Sequence, residues 1–326
     1  MGNMKLSRCT FLHLAAGAAA LLALSRIARA QSYPSRPVRM IVGYPAGNSP
    51  DIIARFMGQW LSARLGQQFV VENRPGASSN IATDAVVRAT PDGYSLLLVT
   101  QTNGMNATFY ENLDFNFIRD IAPVAGIGAV SFVMVVSPLV PAKTVPEFIA
   151  YAKANPGKVS FGSSGAGTAP HIFGALFMSM TGVHLVHVPY RGAYMPDLLA
   201  GQMQVVFAPI AQSVELVRTG KLRALAVTAA KRLEVLPDVP SMGEFVPGYE
   251  ATGWYGIGAP KNTPAEIVDK LNEATNGALA DPKLKTRLAD LGVRPMPMTP
   301  AKFGKFIADE TEKWARVIRA ANIKAE

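Results

Sequence analysis

The chain has 326 residues, of which 49% are apolar and 17% are charged, and this balance argues against intrinsic disorder and against a coiled coil. The formal net charge is +9, but the basic residues are scattered and form no stripe with interleaved aromatic residues, so nucleic-acid binding is not expected. Apolar residues recur in every segment between the 28 glycines and 24 prolines, which provides material for a large core.

Residues 1–30 have the order of regions that is typical of an export signal. Two basic residues precede an apolar run over residues 11–24, and Ala28-Arg29-Ala30 supplies the small-x-small pattern that a signal peptidase recognises. The run is shorter than the roughly 20 residues that a membrane anchor needs. We therefore expect cleavage after Ala30 and a mature protein in the periplasm. Cleavage removes four positive charges and lowers the net charge from +9 to +5.

The single cysteine, Cys9, lies in this signal segment. It precedes the apolar run, whereas a lipoprotein cysteine would follow it. The residues around Cys9 resemble a twin-arginine motif in which the second arginine is replaced, so the choice between the general and the twin-arginine export route stays open. Cleavage leaves a chain without cysteine, which excludes disulfides and thiolate metal ligands.

The mature chain alternates between strand-like and helix-like segments almost to its end. Short apolar runs predict strands at residues 38–44, 69–72, 95–100, 130–136, 158–161, 184–188, 204–208, 223–228 and 253–259. Apolar residues at helical spacing predict helices at residues 50–65, 80–89, 145–155, 170–181, 196–201 and 210–220, and from 264 onward apart from 292–299. This alternation is typical of parallel sheets with crossover helices. It predicts an α/β fold and by itself leaves open one large sheet or two smaller ones.

Two loops join the end of a predicted strand to the start of a predicted helix. In residues 44–51 (YPAGNSPD), Asn48 or Ser49 is a natural N-cap, and Asp51 complements the helix dipole. Residues 162–168 (GSSGAGT) hold three glycines and three hydroxyl groups just before the next helix. Free N–H groups at such helix starts bind anions, so we expect the two loops to face each other across a cleft. Well-capped helices without a ligand are the alternative interpretation.

Several other chemistries are not supported by the sequence. The second loop lacks the Lys-Ser/Thr of a P-loop and is not a nucleophile elbow. His184 and His187 are three residues apart in a predicted strand, so they point to opposite faces and do not chelate one ion. We predict no metal site, cofactor or catalytic residue. His171 and Arg191 are candidate ligand contacts, although a packing histidine and a solvated arginine are equally good interpretations.

Nine segments of the mature chain carry a resemblance to a known family. They are residues 36–42 (RPVRMIV), 45–55 (PAGNSPDIIAR), 71–77 (VENRPGA), 91–96 (PDGYSL), 120–124 (DIAPV), 162–171 (GSSGAGTAPH), 187–192 (HVPYRG), 220–228 (GKLRALAVT) and 254–260 (WYGIGAP). Together and in this order they resemble the substrate-binding receptors of tripartite tricarboxylate transporters, also called the Bug family.

The resemblance implies a two-lobed fold of the type II periplasmic-binding-protein class. Each lobe is expected to be a mainly parallel sheet flanked by helices, with the ligand cleft between the lobes. One lobe is expected from residues 31–127 with 250–326 and the other from residues 128–249. The implied hinges are the strands near residues 127–136 and 253–259.

The resemblance also implies a function. The protein is expected to be a monomeric periplasmic receptor, not an enzyme, that captures a small di-, tri- or aromatic carboxylate and delivers it to the membrane permease. One alternative is an exported hydrolase of a small ester or amide, for which no Ser–His–Asp arrangement is legible. Another is a signalling adaptor that contacts a membrane sensor kinase.

Receptors of this family bind carboxylates through loop amides, hydroxyl groups and bridging waters. The residues expected to bind the ligand here are Tyr44, Ala46, Gly47, Asn48, Asp51, Thr102, Ser163, Ser164, Gly165, Thr168, His171, Tyr190 and Arg191. The chain departs from the family at Ala46 and Asn48, where Pro and Gly are usual, so the family's pocket size and specificity do not carry over. Asp51 is expected either to be turned away from the ligand as a helix-terminus acid or to bind an amino group.

Overall fold

The structure is a computed structural model, and it describes residues 33–110 and 112–324. The predicted signal segment and its cleavage site lie outside the described residues. From Pro37 on, the chain forms one compact unit, which contains every strand and helix of the described residues. Within the described part of the chain, no helix combines the length and the apolar character needed to cross a membrane.

Strands and helices alternate along the unit. The strands are β1 (Val38–Val42), β2 (Phe69–Asn73), β3 (Ser95–Thr100), β4 (Ile121–Val130), β5 (Phe132–Val136), β6 (Ser160–Ser163), β7 (Val186–Pro189), β8 (Val205–Pro209), β9 (Arg223–Val227), β10 (Gly253–Pro260) and β11 (Val293–Pro295). The helices are α1 (Ser49–Leu65), α2 (Asn80–Val87), α3 (Gln101–Phe109), α4 (Phe117–Asp120), α5 (Val145–Ala154), α6 (Ala169–Thr181), α7 (Met195–Leu199), α8 (Ile210–Arg218), α9 (Ala265–Ala280), α10 (Pro282–Asp290) and α11 (Pro300–Ala320). Short 3-10 helices lie at Ala77–Ser79 and Met242–Glu244.

The strands form two sheets, which confirms the predicted α/β fold. The first has the order β11-β4-β10-β3-β1-β2 and the second the order β7-β6-β8-β5-β9. Four of the six strands in the first sheet and four of the five in the second run in the same direction, as expected for mainly parallel sheets. β1 pairs in parallel with β2 and β3, and β6 with β7 and β8. β5 is the first strand after the chain crosses to the second sheet, and β10 is the first strand after it returns to the first sheet. Each of them runs antiparallel to both of its neighbours.

Each sheet has its own apolar core. The first cluster includes Leu97, Val99 and Trp254, none of them more than 1% exposed. The second cluster includes Val135 and Val206, both fully buried. The two clusters share no residue, so burial of apolar surface stabilises each sheet with its own flanking helices.

The chain passes between the sheets twice. Ser131 alone separates β4 from β5, and the segment between β9 and β10 brings the chain back. The apolar run predicted as one strand over residues 130–136 is therefore split at Ser131. Thr228 ties the two passages together, because its N–H donates to the Phe132 carbonyl at 2.9 Å and its carbonyl accepts from Ala251 N at 2.9 Å.

The main element that the sequence analysis missed is α3. Its sequence, QTNGMNATF, has few strong helix formers. Its start is fixed by the N–H of Thr100, which donates to Asn103 Oδ1 at 2.7 Å, as in one half of a capping box. Gly104 allows close packing on α11, since a Cβ there would lie 2.5 Å from Thr311 Oγ1. Burial against neighbouring elements, rather than propensity, holds this helix.

Candidate functional site

A cavity of about 570 Å³ lies among four loops that follow the parallel strands β1, β2, β6 and β7. Its lining residues are Gly43, Tyr44, Pro45, Pro75, Gly76, Ala77, Ser78, Ser79, Ile81, Tyr110, Ser164, Gly165, Ala166, Pro189, Tyr190 and Arg191. The carboxyl ends of parallel strands are where α/β folds place ligands, and the volume suits a small organic molecule.

The walls of this cavity combine apolar surface with hydroxyl groups and one cation. Prolines, tyrosines and Ile81 supply the apolar part, and Ser164 supplies a hydroxyl group from the loop after β6. The exposed guanidinium of Arg191 is positively charged. The described residues that line the cavity include no acidic side chain. Nor do the described residues contain a group of three or more potential metal ligands. The cavity is therefore suited to an organic anion.

Asp51 organises the loop between β1 and α1. Its Oδ2 accepts from Gly47 N at 2.8 Å and from Arg55 Nε at 3.0 Å, and its Oδ1 accepts from Asn73 Nδ2 at 2.9 Å. Burial alone raises the pKa of Asp51, but the hydrogen bonds from Arg55, Gly47 and Asn73 outweigh it and lower the pKa below its usual value. The side chain is 2% exposed and does not line the cavity, as expected for an acid turned away from the ligand.

His171 plays the corresponding part in the loop between β6 and α6. Its Nδ1 accepts from Gly167 N at 3.0 Å, and its ring stacks on that of His187 with centroids 4.0 Å apart. Burial, together with the neighbouring His187, lowers the pKa of His171 to about 3. The ring is therefore neutral at physiological pH and acts as an acceptor inside the loop.

Ser163 and Thr168 also have partners inside this loop. Ser163 Oγ lies 2.7 Å from His187 Nε2 and accepts from Gly165 N at 3.1 Å. Thr168 Oγ1 donates to the Gly165 carbonyl at 2.6 Å. Both side chains are fully buried, and neither lines the cavity. The Ser163–His187 pair resembles part of a hydrolase site, but burial denies a substrate access to it.

Side chains from elements of the first sheet hold the second loop from outside. Ser78 Oγ donates to the Ala166 carbonyl, and Tyr110 Oη donates to the same carbonyl at 3.1 Å. Thr102 Oγ1 accepts from Ala169 N at 3.3 Å, at the start of α6. These contacts bring together groups that belong to different sheets and close one side of the cavity.

A second, smaller cavity of about 20 Å³ lies beside the first. It is lined by Tyr44, Asn48, Pro50, Thr100, Gln101, Phe132, Ser164, Ala169, Pro170, Pro209, Gln212 and Tyr255. Asn48 Oδ1 accepts from Gln212 Nε2 at 2.9 Å, a contact that also joins the two sheets. Tyr44 Oη lies 3.3 Å from Thr100 Oγ1, and burial raises the pKa of Tyr44.

Residues 53–323 match the model of the tripartite tricarboxylate transporter family receptor. The chain belongs to this family. Proteins of the family are periplasmic solute-binding receptors and not enzymes, and the chain is one of these receptors. The family expected from the sequence motifs is thereby confirmed.

Individual relatives agree with this assignment. BugT of Bordetella pertussis (strain Tohama I) is 35% identical over 300 residues, which cover 90% of this chain and 92% of BugT. A protein of R. palustris solved with adipate is 33% identical, with a TM-score of 0.87 over 90% of this chain and 99% of that one. MatC of Rhodopseudomonas palustris, solved with bound malate, is 29% identical, with a TM-score of 0.84 over 88% of this chain and 100% of MatC.

The structure of this receptor sorts the predicted ligand-binding residues into three groups. The large cavity is lined by Tyr44, Ser164, Gly165, Tyr190 and Arg191. The small cavity is lined by Asn48, together with Tyr44 and Ser164. Neither cavity is lined by Ala46, Gly47, Asp51, Thr102, Ser163, Thr168 or His171. Tyr190 Oη donates to Asp197 Oδ2 at 2.7 Å, and burial and this carboxylate raise the pKa of Tyr190 to about 12.

Several lining residues were missed, among them Ser78, Tyr110 and Gln212. Ser78 lies in the segment that follows the parallel strand β2, so the strand-end rule was a usable signal for it. Tyr110 and Gln212 reach the cavities through tertiary packing, and no local sequence signal marks them. Ala77, Ser78 and Ser79 all have positive φ, at 44°, 52° and 73°, a strained backbone that is commonly found at ligand sites.

Proposed function

We propose that this receptor captures a small carboxylate in the large cavity and delivers it to the permease of a tripartite tricarboxylate transporter. The observation that carries the proposal is the composition of the cavity: hydroxyl groups and one arginine, with no acidic side chain among the described lining residues. The relatives solved with adipate and with malate support the same ligand class. Membership of the family supports delivery to the permease.

The position of two helix starts also favours an anion. α1 and α6 begin after the loops that line the cavity, and a helix N-terminus carries about half a positive charge. The one acid near these helix starts, Asp51, is paired with Arg55, which limits its repulsion of a ligand carboxylate.

We assign the predicted residues two kinds of role. Tyr44, Ser164, Tyr190, Arg191 and the backbone at Gly165 contact the ligand, since they line the large cavity. The residues with internal hydrogen bonds position the two loops, and these are Gly47, Asp51, Thr102, Ser163, Thr168 and His171. Ala46, between Pro45 and Gly47, contributes only through the backbone conformation of the first loop.

We further propose that the mature receptor, cut after Ala30, closes as two lobes in the periplasm. The lobes are residues 31–127 with 250–326 and residues 128–249. The proposal is supported by the sheets, because β5 to β9 all fall within the second lobe. β4 continues to Val130, so Ser131 is the better first boundary. The two passages tied by Thr228 would then be the hinge.

The function is tested by thermal unfolding with a panel of mono-, di-, tri- and aromatic carboxylates, followed by calorimetry on variants. We expect Ser164→Ala to cost about 1–3 kcal/mol of binding free energy, because a charged ligand loses a buried hydrogen bond. Arg191→Ala should cost less if helix starts and hydroxyl groups dominate. Arg218→Ala, an exposed arginine on α8, controls for the loss of surface charge.

Two outcomes would contradict the proposal. If no acid of the panel raises the unfolding temperature, the carboxylate assignment is wrong. A large loss from Arg191→Ala beside a negligible loss from Ser164→Ala would show that an ion pair, rather than the loop, holds the anion.

A further inference from the structure

Asn48 holds a buried hydrogen-bond donor for which the described residues supply no partner. The residue is 6% exposed, and its Nδ2 has no hydrogen-bond acceptor among the described protein atoms. An asparagine at the N-cap usually caps its own helix, but this side chain makes no such bond to α1. An unmet buried N–H costs about 1–3 kcal/mol, so its persistence points to an acceptor that arrives from outside.

Two residues from the second sheet's side determine which end of the amide is free. Tyr194 Oη donates to Gln212 Oε1 at 2.5 Å, and Gln212 therefore presents Nε2 to Asn48 Oδ1 at 2.9 Å. Burial raises the pKa of Tyr194, so its hydroxyl group keeps its proton at neutral pH. The oxygen of Asn48 is thus occupied, and its N–H group remains available.

The backbone of the same loop offers fewer donors than its sequence implies. Gly47 N donates to Asp51 Oδ2 at 2.8 Å, and Asn48 N donates to the Pro45 carbonyl at 3.3 Å. These two amides are therefore engaged within the loop. The side-chain N–H of Asn48 takes over as the donor that this part of the loop can offer a ligand.

The small cavity gives this donor a place to act. Its volume of about 20 Å³ is enough for one water molecule or one ligand oxygen. Tyr44 and Ser164 line both cavities, so a ligand in the large cavity can extend one group into the small one. The N-terminus of α1, a helix of 17 residues, adds a favourable potential for an anion there.

We propose that Asn48 is a specificity-determining residue whose side-chain N–H donates to one carboxylate oxygen of the ligand in the small cavity. Gln212 is its positioning residue. The inference rests on the proposed function and deepens it. A ligand that places an alkyl or amino group in this position leaves the Asn48 donor unmet, and the receptor discriminates against it for that reason.

The test combines calorimetry and NMR, with adipate, malate and benzoate as probes. For an acid that raises the unfolding temperature, Asn48→Ala should lower affinity about tenfold or more, the usual range for a hydrogen bond to a charged group. Gln212→Leu should lower it less, and adding it to Asn48→Ala should cost little more, because both act through one donor. The Asn48 side-chain NH₂ resonance should shift on saturation with the acid. The exposed Asn112 is the control in both measurements.

The unfolding temperature of each ligand-free variant separates binding from folding. A purely structural Asn48 would lower this temperature and leave the NH₂ resonance insensitive to the acid. If an acid stabilises the receptor but neither its affinity nor the resonance depends on Asn48, the inference is overturned and the proposed function stands. If none of these probes and no other acid of the carboxylate panel stabilises the receptor, both are overturned.

Discussion

The loops before α1 and α6 share one local geometry although they carry different chemistry. Gly47 and Gly167 have nearly equal positive φ angles, 81° and 83°. In each loop the glycine N–H donates to the side chain four residues later, Asp51 in the first and His171 in the second. The same turn is thus closed by a charged acceptor in one loop and by a neutral acceptor in the other.

The N-cap residues of the two loops differ in a parallel way. Asn48 and Thr168 have almost the same backbone angles, with φ of −73° in both and ψ of 159° and 160°. Thr168 bonds to Gly165 within its own loop, whereas Asn48 bonds to Gln212 beyond its loop. The side chain at the same N-cap position therefore bonds within its own loop in one place and makes a contact between the sheets in the other.

Gly47 and Gly167 have the same backbone conformation, but substitution by alanine should destabilise the protein to different extents at the two positions. Gly167→Ala should lower the free energy of unfolding by about 2–4 kcal/mol, because it combines a left-handed backbone with a clash. Its Cβ would lie 2.6 Å from Phe109 Cδ1. Gly47→Ala, with nothing within 4 Å of its Cβ, should cost only about 1–2 kcal/mol of backbone strain. Urea unfolding measures both, and equal losses would contradict the difference in packing.

The two acceptors should respond to acid in different pH ranges. The pKa of His171 falls from 6.5 to about 3 in the folded protein, so the unfolded chain binds its proton first as the pH drops. Stability from this group is complete above pH 6.5 and should fall by about 1.5 kcal/mol between pH 6.5 and pH 5. The lowered pKa of Asp51 confines its own loss to pH values below its ordinary 3.8.

Denaturant unfolding at a series of pH values checks this prediction. His171→Asn, which keeps an acceptor for Gly167 but does not titrate, should flatten the profile between pH 6.5 and pH 5. Asp51→Asn should leave the profile in that range unchanged and alter it only at lower pH. A profile that is as steep in His171→Asn as in the wild type would refute the assignment to His171.

A smaller effect is expected at one of the contacts that hold the second loop from outside. Tyr110→Phe removes the hydrogen bonds from Tyr110 Oη to Ala166 and Ser78, and should cost about 1 kcal/mol. In the proposed two-lobe arrangement, the same change should also expand the ligand-free particle slightly in small-angle scattering. Tyr151→Phe, on α5, is the matched control. A variant with wild-type stability and scattering would show that the second loop needs no support from α3's end.

The shared geometry of the two loops was largely predictable, because its signals are local. The sequence predicted helices that start at residues 50 and 170, and α1 and α6 each begin one residue earlier, at Ser49 and Ala169. Asp51 was expected either as a helix-terminus acid or as a contact for an amino group, and its hydrogen bonds from Gly47 and Arg55 favour the first role.

The partners of individual loop groups were not predictable, because they depend on tertiary packing. Ser163 and Ser164 are adjacent, and the sequence does not tell which of them faces the ligand; the structure turns Ser163 towards His187 and leaves Ser164 in the cavity. The hydrogen bond from Gly47 N to Asp51 and the one from Gln212 to Asn48 could not be predicted from the sequence either. Helix α3 was not predicted from the sequence, because burial against its neighbours and not its composition makes it helical.

The single-residue passage at Ser131 has a consequence for the order in which the molecule assembles. The second sheet is one continuous stretch, residues 132–227, and is complete as soon as that stretch has been synthesised. The first sheet instead needs β10 and β11, which emerge later, to cover β4 and β3. Its earlier strands therefore have unpaired edges while the whole second sheet is synthesised, and unpaired strand edges favour aggregation.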